Sequence, residues 1–577
     1  MHIDGIEITK VDKKKVAKKT NNIAGTSMHS DQELRRRLSI LQDQFKEGKI
    51  HLTEEVYDSM AESLSKVMVM PNGEVDLNTV DSRVRSLAMG VTAMHDREEN
   101  KKAIPLHQIQ RAYFNIIEVN FSNFYEMMKK ANKDPHVMGA FFSEKPEVRS
   151  EIVKVLPDFL AVLAELWDSC GDVVWDHARD LDGIKLMHGG DLFPSYTHNI
   201  ASKCGIYGDT IAIPDPFARS FELYNLWNDE QKVYYFIKHA LSVLEYKDLA
   251  LAELNTPIVI VLPEPSLFDD FEPKYLSKMA EADAVKFASG TFNRDFESIE
   301  AAREFFSQLD TKDKILQEVM LEDRLLFDLD IGNCPEKQLD KLLKPQFSGF
   351  ENLNPGEIIL GNFVGRMGQA NHALLKSRRM NSVPLIDAPT SWRYFNWKLD
   401  LDNESVNNDL SEQLHCTHAL TALDGTELEW LGNIPPASLI EMREQGAIAE
   451  IRDIMTKNVS NLIESNPMNF GETSYQVYTN FQAALADHKK EIDRLKRQKW
   501  KFAGVDVGGM IVLGAVNIAL YAKLNVPLYA ATLVAGHFLD TPNPLKIPKI
   551  WRGFNDKQEN LKNSPIGMLI TCKDAIK

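Results

Sequence analysis

Apolar residues recur at steps of three and four through most of this chain, the spacing that lines one face of an α-helix. Leu34, Leu38 and Leu41 set that rhythm between Asp31 and Glu62. Asn72-Gly73 marks a turn, and a second helical block runs from Val80 to His95. Ile109, Tyr113, Ile116, Ile117, Val119, Phe121 and Phe124 cover more than one stripe of a third helix, which predicts burial on several sides. A Leu-rich helix follows from Val148 to Trp167.

The rhythm changes beyond Cys170. Thr210-Ile211-Ala212-Ile213 is a short β-like run before Pro214-Asp215-Pro216, and Pro257 to Pro263 brackets five consecutive apolar residues, the mark of a fully buried strand. The residues between them read as helix, broken near Trp227-Asn228-Asp229. Helical spacing returns from Glu272 to Leu343. A second mixed region follows, in which Ile358-Ile359-Leu360 reads as a strand ahead of Gly361, and Trp392, Tyr394, Phe395 and Trp397 suit a strand or an interface. Pro435-Pro436 fits a helix start. Beyond Pro467, Tyr475, Tyr478, Phe481, Leu485, His488, Ile492 and Leu495 place a long bundle helix.

The fold class predicted is mainly α with a small α/β region, a multidomain helical body ending in a hydrophobic helical hairpin. The segments are a basic leader (1–30), a helical domain (31–168), an α/β region with a helical extension (169–345), a mixed and then helical domain (346–500), and the hairpin with its tail (501–577).

That hairpin is the most distinctive feature. Residues 502–539 hold two formal charges, Asp506 and Lys523, and divide into apolar halves at about 503–522 and 524–539. Gly504, Gly508, Gly514 and Gly536 allow close helix approach, Asn517 is an internal polar group, and Pro527 suits the first turn of the second half. Lys489, Lys490, Arg494, Lys496, Arg497, Lys499 and Lys501 precede it, while Lys546, Lys549 and Arg552 follow. Basic flanks on both sides of a short turn fit a hairpin whose ends share one face of a membrane. The uncharged runs within them, 507–522 and 524–539, are sixteen residues each, shorter than the roughly 20 of a full span. Burial inside the soluble body therefore stands as the competing expectation.

Composition narrows the partners. A net charge of −17 over 577 residues argues against nucleic acid as a bulk partner. The polar leader carrying Lys10, Lys13, Lys14, Lys15, Lys18 and Lys19 is the basic exception at the other end. Five scattered cysteines without a CxxC pair fit reduced thiols in a cytoplasmic protein. No cofactor is expected. Membrane lipid, under some conditions, is the expected partner, with a protein partner or a homo-oligomer as further options.

Three neighbourhoods offer chemistry. His188, His198, Asp209 and Asp215 are of the residue types that hold divalent metals in hydrolases, although Asp209 and Asp215 also suit turns. Gly361, Gly365, Arg366 and Gly368 between a strand and a helix would fit an anion-binding loop, but they lack the GK[ST] ending of a P-loop. His415-Cys416-Thr417-His418 packs three potential ligands too tightly for one tetrahedral site.

The layout resembles that of bacterial membrane-targeting effectors over its C-terminal part. The leading expectation is a non-enzymatic cytoplasmic protein whose body senses or regulates and whose hairpin engages a membrane. The alternatives are a metal-dependent hydrolase near His188, Asp209 and Asp215, and a soluble scaffold that buries the hairpin.

Overall fold

The computed structural model describes residues 2–3, 6–7, 26–192, 199–267, 271–325, 327, 332, 334–343, 353–402, 408–502, 505–506, 557 and 559–576. The hairpin positions Gly504, Gly508, Gly514, Asn517, Pro527 and Gly536, together with His198 and the lysines of the leader, lie outside these residues.

The chain is mainly helical with one small parallel sheet, and it forms two compact units. The first unit holds residues 1–113 and 161–180. Its core is the stripe read from the sequence, Leu34, Leu38 and Leu41 of Thr26–Lys46, closed by Met60 of Glu54–Ser65 and by Val84 and Ala88 of Ser82–Ala103. Asp81 starts the last of these helices by accepting a hydrogen bond from the Val84 N–H at 3.0 Å. Asn72-Gly73 turns as expected, with Gly73 at φ +84°.

The second unit holds residues 114–160 and 181–577. Its sheet consists of β1 (Lys185–His188), β2 (Thr210–Pro214), β3 (Val259–Leu262) and β4 (Val383–Leu385). The strands lie in the order β3-β2-β1-β4, all parallel. β2 and β3 are the two apolar runs of the sequence, and every residue in them is buried, as a sheet covered on both faces requires. β1 and β4 carry no such signature. β4 joins the sheet from beyond residue 345, so strands from two of the segments outlined above pair with each other.

Two expectations are corrected here. Ile358-Ile359-Leu360 is not a strand: a single helix, α1 (Pro355–Met380), runs through it. Asn354 and Glu357 form a reciprocal cap that starts this helix before the apolar run begins. The 392–397 aromatics likewise belong to a helix, α2 (Pro389–Asp402). Its Tyr394 belongs to a hydrophobic core cluster with Phe287, Phe306 and Phe363. Farther along, α3 (Asn408–Thr421) packs against α4 (Phe470–Trp500), the long bundle helix the spacing predicted. No helix among the described residues is long and apolar enough to cross a membrane.

Candidate functional site

In a parallel sheet all strands end on the same edge. The chain runs from β1 outward to β2 and β3, then returns to place β4 on the other side of β1. The order therefore reverses between β1 and β4, and the crevice beyond the carboxyl ends at such a reversal is where open α/β sheets bind ligands. Four loops leave this edge, and each carries an ionisable residue within three positions of its strand's end.

β1 ends at His188 and continues through Gly189-Gly190-Asp191. The Gly189 N–H donates to the Leu385 carbonyl at 3.0 Å and extends the pairing with β4. Gly190 has φ +85°, and a Cβ there would lie 2.8 Å from Ile386, so only glycine lets the loop pass this close. β2 continues into Asp215, fully buried, which accepts from the Phe217 N–H at 3.0 Å and starts the short helix that presents Arg219. β3 is followed by Pro263-Glu264, and β4 by Ile386-Asp387.

One helix crosses this edge. Arg366, Gln369, His372 and Lys376 recur at steps of three and four along α1 and face the loops. Arg219 Nε lies 2.9 Å from Glu264 Oε1, and its two terminal nitrogens donate to the Asp191 carbonyl at 2.8 Å and to Gln369 Oε1 at 3.2 Å. Lys376 Nζ donates to the other Glu264 oxygen. Arg366 donates to Ser391 Oγ at 3.0 Å, while the Ser391 hydroxyl donates to Asp191 Oδ1 at 2.6 Å. Lys203 pairs with Asp387 and Asp424, each at 2.9 Å.

These neighbours push the groups in opposite directions. Burial opposes ionisation of Glu264, but Lys376 and Arg219 outweigh it and hold the carboxyl down at about 2. Burial is also the main influence on Lys376, pulling it down to about 8 against the attraction of Glu264; the pair is charged at neutral pH. His188 is pushed down to about 4, chiefly by burial and in spite of Asp387. His372 is pushed down to about 3 by burial, with Lys376 adding to the effect. Both imidazoles are therefore neutral at pH 7, and each keeps one nitrogen that can accept a proton or a hydrogen bond. Asp191 is raised, again mainly by burial, against the hydrogen bond from Ser391.

The structure brings together only part of the sequence's candidate set. His188 and Asp215 lie at the carboxyl edge. Asp209 precedes β2 and sits at the amino edge, a strand's length away, where it accepts from Arg443 at 2.9 Å and from the Ile184 N–H at 2.7 Å, with Arg452 at 2.7 Å. It is a structural staple between the sheet and the C-terminal helices. Among the described residues no group of three or more His, Cys, Asp or Glu is placed to hold a metal ion. Gly361, Gly365 and Gly368 lie inside α1, so their N–H groups serve the helix and form no phosphate loop. Arg366, in the same motif, does belong to the edge.

His415 and His418 stack on Phe470 and Trp392, with centroids 3.9 and 3.8 Å apart. The Pro467 carbonyl takes a hydrogen bond from His415 Nε2 at 3.1 Å, which leaves Nδ1 to accept from the Thr473 hydroxyl at 2.8 Å. Cys416 is buried and pushed up to about 12, too high for a thiolate nucleophile.

Sequence reasoning missed Arg219, Glu264, His372, Asp387 and Ser391. Glu264 had a signal, since it stands two residues past a strand that was read correctly. The α1 residues had one too, a polar stripe along a helix whose start the Asn354-Glu357 cap marks.

Fold and site together define a mainly helical protein with a four-stranded parallel sheet and a charged carboxyl-edge cluster. Comparison with protein-family models, curated proteins and solved structures returned no match.

Proposed function

We propose that the carboxyl edge of the sheet binds a small anionic molecule, and that recognising it is the task of this protein's body. The observation that carries the reading is the convergence of Arg219, Lys376, Arg366 and two neutral histidines, from separate segments, on the point where the strand order reverses. Buried cations held ready by hydrogen bonds recognise carboxylate or phosphate without a metal. The order β3-β2-β1-β4 matches the first four strands of doubly wound nucleotide-binding sheets, an analogy of fold only. Metal-dependent hydrolysis has less support, because Asp209 is held at the other edge by arginines.

Thermal unfolding of the full chain against inorganic phosphate, AMP, ADP, NAD and citrate tests this. A ligand at 100 times its Kd stabilises by about 2.7 kcal/mol, a shift of a few degrees. We expect such a shift with at least one of these anions and its loss in Arg366→Gln. If none of them moves the wild-type transition, the anion site falls.

A second reading concerns residues 502–539, and the near absence of charge between basic flanks favours it. In this reading the segment engages the cytoplasmic face of a membrane, so that the body acts as a sensor and the hairpin as an effector. Carbonate extraction of membranes from expressing cells tests it. The wild type is expected to remain partly in the membrane pellet, and Gly508→Leu with Gly514→Leu should reduce that fraction. Complete recovery of the wild type in the extract would remove the reading.

A further inference from the structure

We infer that the C-terminal end of α4, with its continuation to Lys501, is an electrostatic landing site for anionic phospholipid. The inference rests on the membrane reading above and names the lipid class that reading requires. Positions 489 to 501 carry seven basic residues, Lys489, Lys490, Arg494, Lys496, Arg497, Lys499 and Lys501, against Glu491 and Asp493. That is a net charge of +5 in thirteen residues of a chain whose net charge is −17. So strong a local reversal of sign, on a protein of net negative charge, is a docking feature rather than a by-product of composition.

Packing supports the same division of the helix. Its first part is anchored: Val477 and Phe481 are fully buried, and Asn480 donates to the Met455 and Lys457 carbonyls at 3.1 and 2.9 Å. His488 is the last buried side chain before the basic run. From Lys489 to Arg494 no side chain is buried, and the Lys490 and Arg494 side chains are 76% and 68% exposed. Their ion pairs are with acids one turn back on the same helix, Asp487 at 2.9 Å and Glu491 at 3.5 Å. Exposed pairs of this kind are weak and readily exchanged for another anion. The rest of α4 holds Lys489 to Arg494 in place while leaving Lys489, Lys490 and Arg494 exposed.

Two classes of polyanion fit such a charge, lipid and nucleic acid. Continuity decides for lipid. Lys501 is followed at once by the weakly charged stretch 502–539, and Trp500 stands at the junction, the residue type enriched at membrane–water boundaries. A basic cluster next to an apolar segment is the arrangement by which proteins read phosphatidylserine-rich leaflets.

The experiment is flotation of the purified full chain with vesicles of phosphatidylcholine alone, or of phosphatidylcholine with 30 mol% phosphatidylserine, at low and high salt. A variant carrying Lys489→Gln, Lys490→Gln, Arg494→Gln and Lys496→Gln is run beside the wild type, and its thermal transition is compared to confirm folding. The wild type should float with the phosphatidylserine vesicles, lose most of that binding at high salt, and bind the neutral vesicles poorly. The variant should bind the anionic vesicles about 1,000-fold more weakly. Equal, salt-insensitive binding of the wild type to both vesicles would overturn the lipid choice and leave the membrane reading standing. No flotation with either vesicle would overturn both. Tighter binding to a 20-base-pair duplex than to the anionic vesicles would assign the basic end to nucleic acid instead.

Discussion

Both edges of the sheet carry charge, and they use it differently. At the amino edge one carboxylate, Asp209, is gripped by Arg443, Arg452 and the Ile184 N–H. Burial raises its carboxyl, but the Arg452 and Ile184 hydrogen bonds and the charges of both arginines outweigh that and leave it below the ordinary range. The partners around it all favour the ionised state, and together they overcome burial. At the carboxyl edge the groups disagree: Glu264 is driven down, Asp191 up, and His188 and His372 down into neutrality. A cluster with one favoured state holds elements together. A cluster of groups driven apart can bind or transfer charge. Density of charge alone does not make a site.

Removing the central carboxylate is the most forceful way to break the contrast. Glu264→Ala strands Arg219 and Lys376 among buried neighbours and should cost about 3–5 kcal/mol, read as a lower urea midpoint at unchanged slope. Asp209→Ala leaves two arginines that are nearer to solvent and should cost about 1–3 kcal/mol, while any anion response of the other edge persists. A larger loss from Asp209→Ala than from Glu264→Ala would invert the assignment.

Acidification separates the edges without mutation. A histidine whose folded pKa is depressed binds fewer protons folded than unfolded, so its contribution is complete above about pH 6.5 and is lost as pH falls toward the folded value. His188, His372, His415 and His418 are pushed down to about 4, 3, 4 and 4, chiefly by burial. Each should withdraw of order 1–2 kcal/mol between pH 7 and pH 5. The carboxylates follow the same rule in a lower pH window. Glu264 and Asp209 lose their contributions only as pH drops below the ordinary carboxyl range, about 4. The pH dependence of stability between 7 and 5 should therefore flatten in His188→Gln and be unmoved in Asp209→Asn. Equal slopes in His188→Gln and the wild type would mean that His188 is not buried neutral.

The smallest effects test the glycines. Gly190→Ala forces a side chain into a left-handed conformation against Ile386 and should destabilise by about 1–2 kcal/mol in calorimetry. Gly365→Ala, in mid-helix with nothing within 4 Å, should stabilise by about 0.5–1 kcal/mol. Destabilisation by Gly365→Ala would show that its backbone has a role beyond the helix.

How much of this was legible follows from the range of each signal. The stripe Leu34-Leu38-Leu41, the capped break at Asn228 and the long helix from Phe470 are local patterns, and they appear where the spacing put them. β3 was readable because prolines bracket an uninterrupted apolar run, and β2 because its short β-like run stops at Pro214-Asp215-Pro216. β1 and β4, four and three residues long, have no period to detect, and so the carboxyl edge that they complete was hidden. Ile358-Ile359-Leu360 misled for the same reason: three apolar residues fit a buried strand and a buried helix equally well, and the cap upstream decided between them.

The order of amino acids alone thus determined the helical majority, two strands, and the sign and position of the basic run before residue 502, because each depends on neighbours within a turn or two. Tertiary structure alone decided which charges meet. Ser391 reaches Asp191 across 200 positions, and Arg219 meets Gln369 across 150. Such meetings are set by strand order and by where α1 crosses the sheet. Both depend on how the whole unit buries its apolar faces, and no local pattern encodes them.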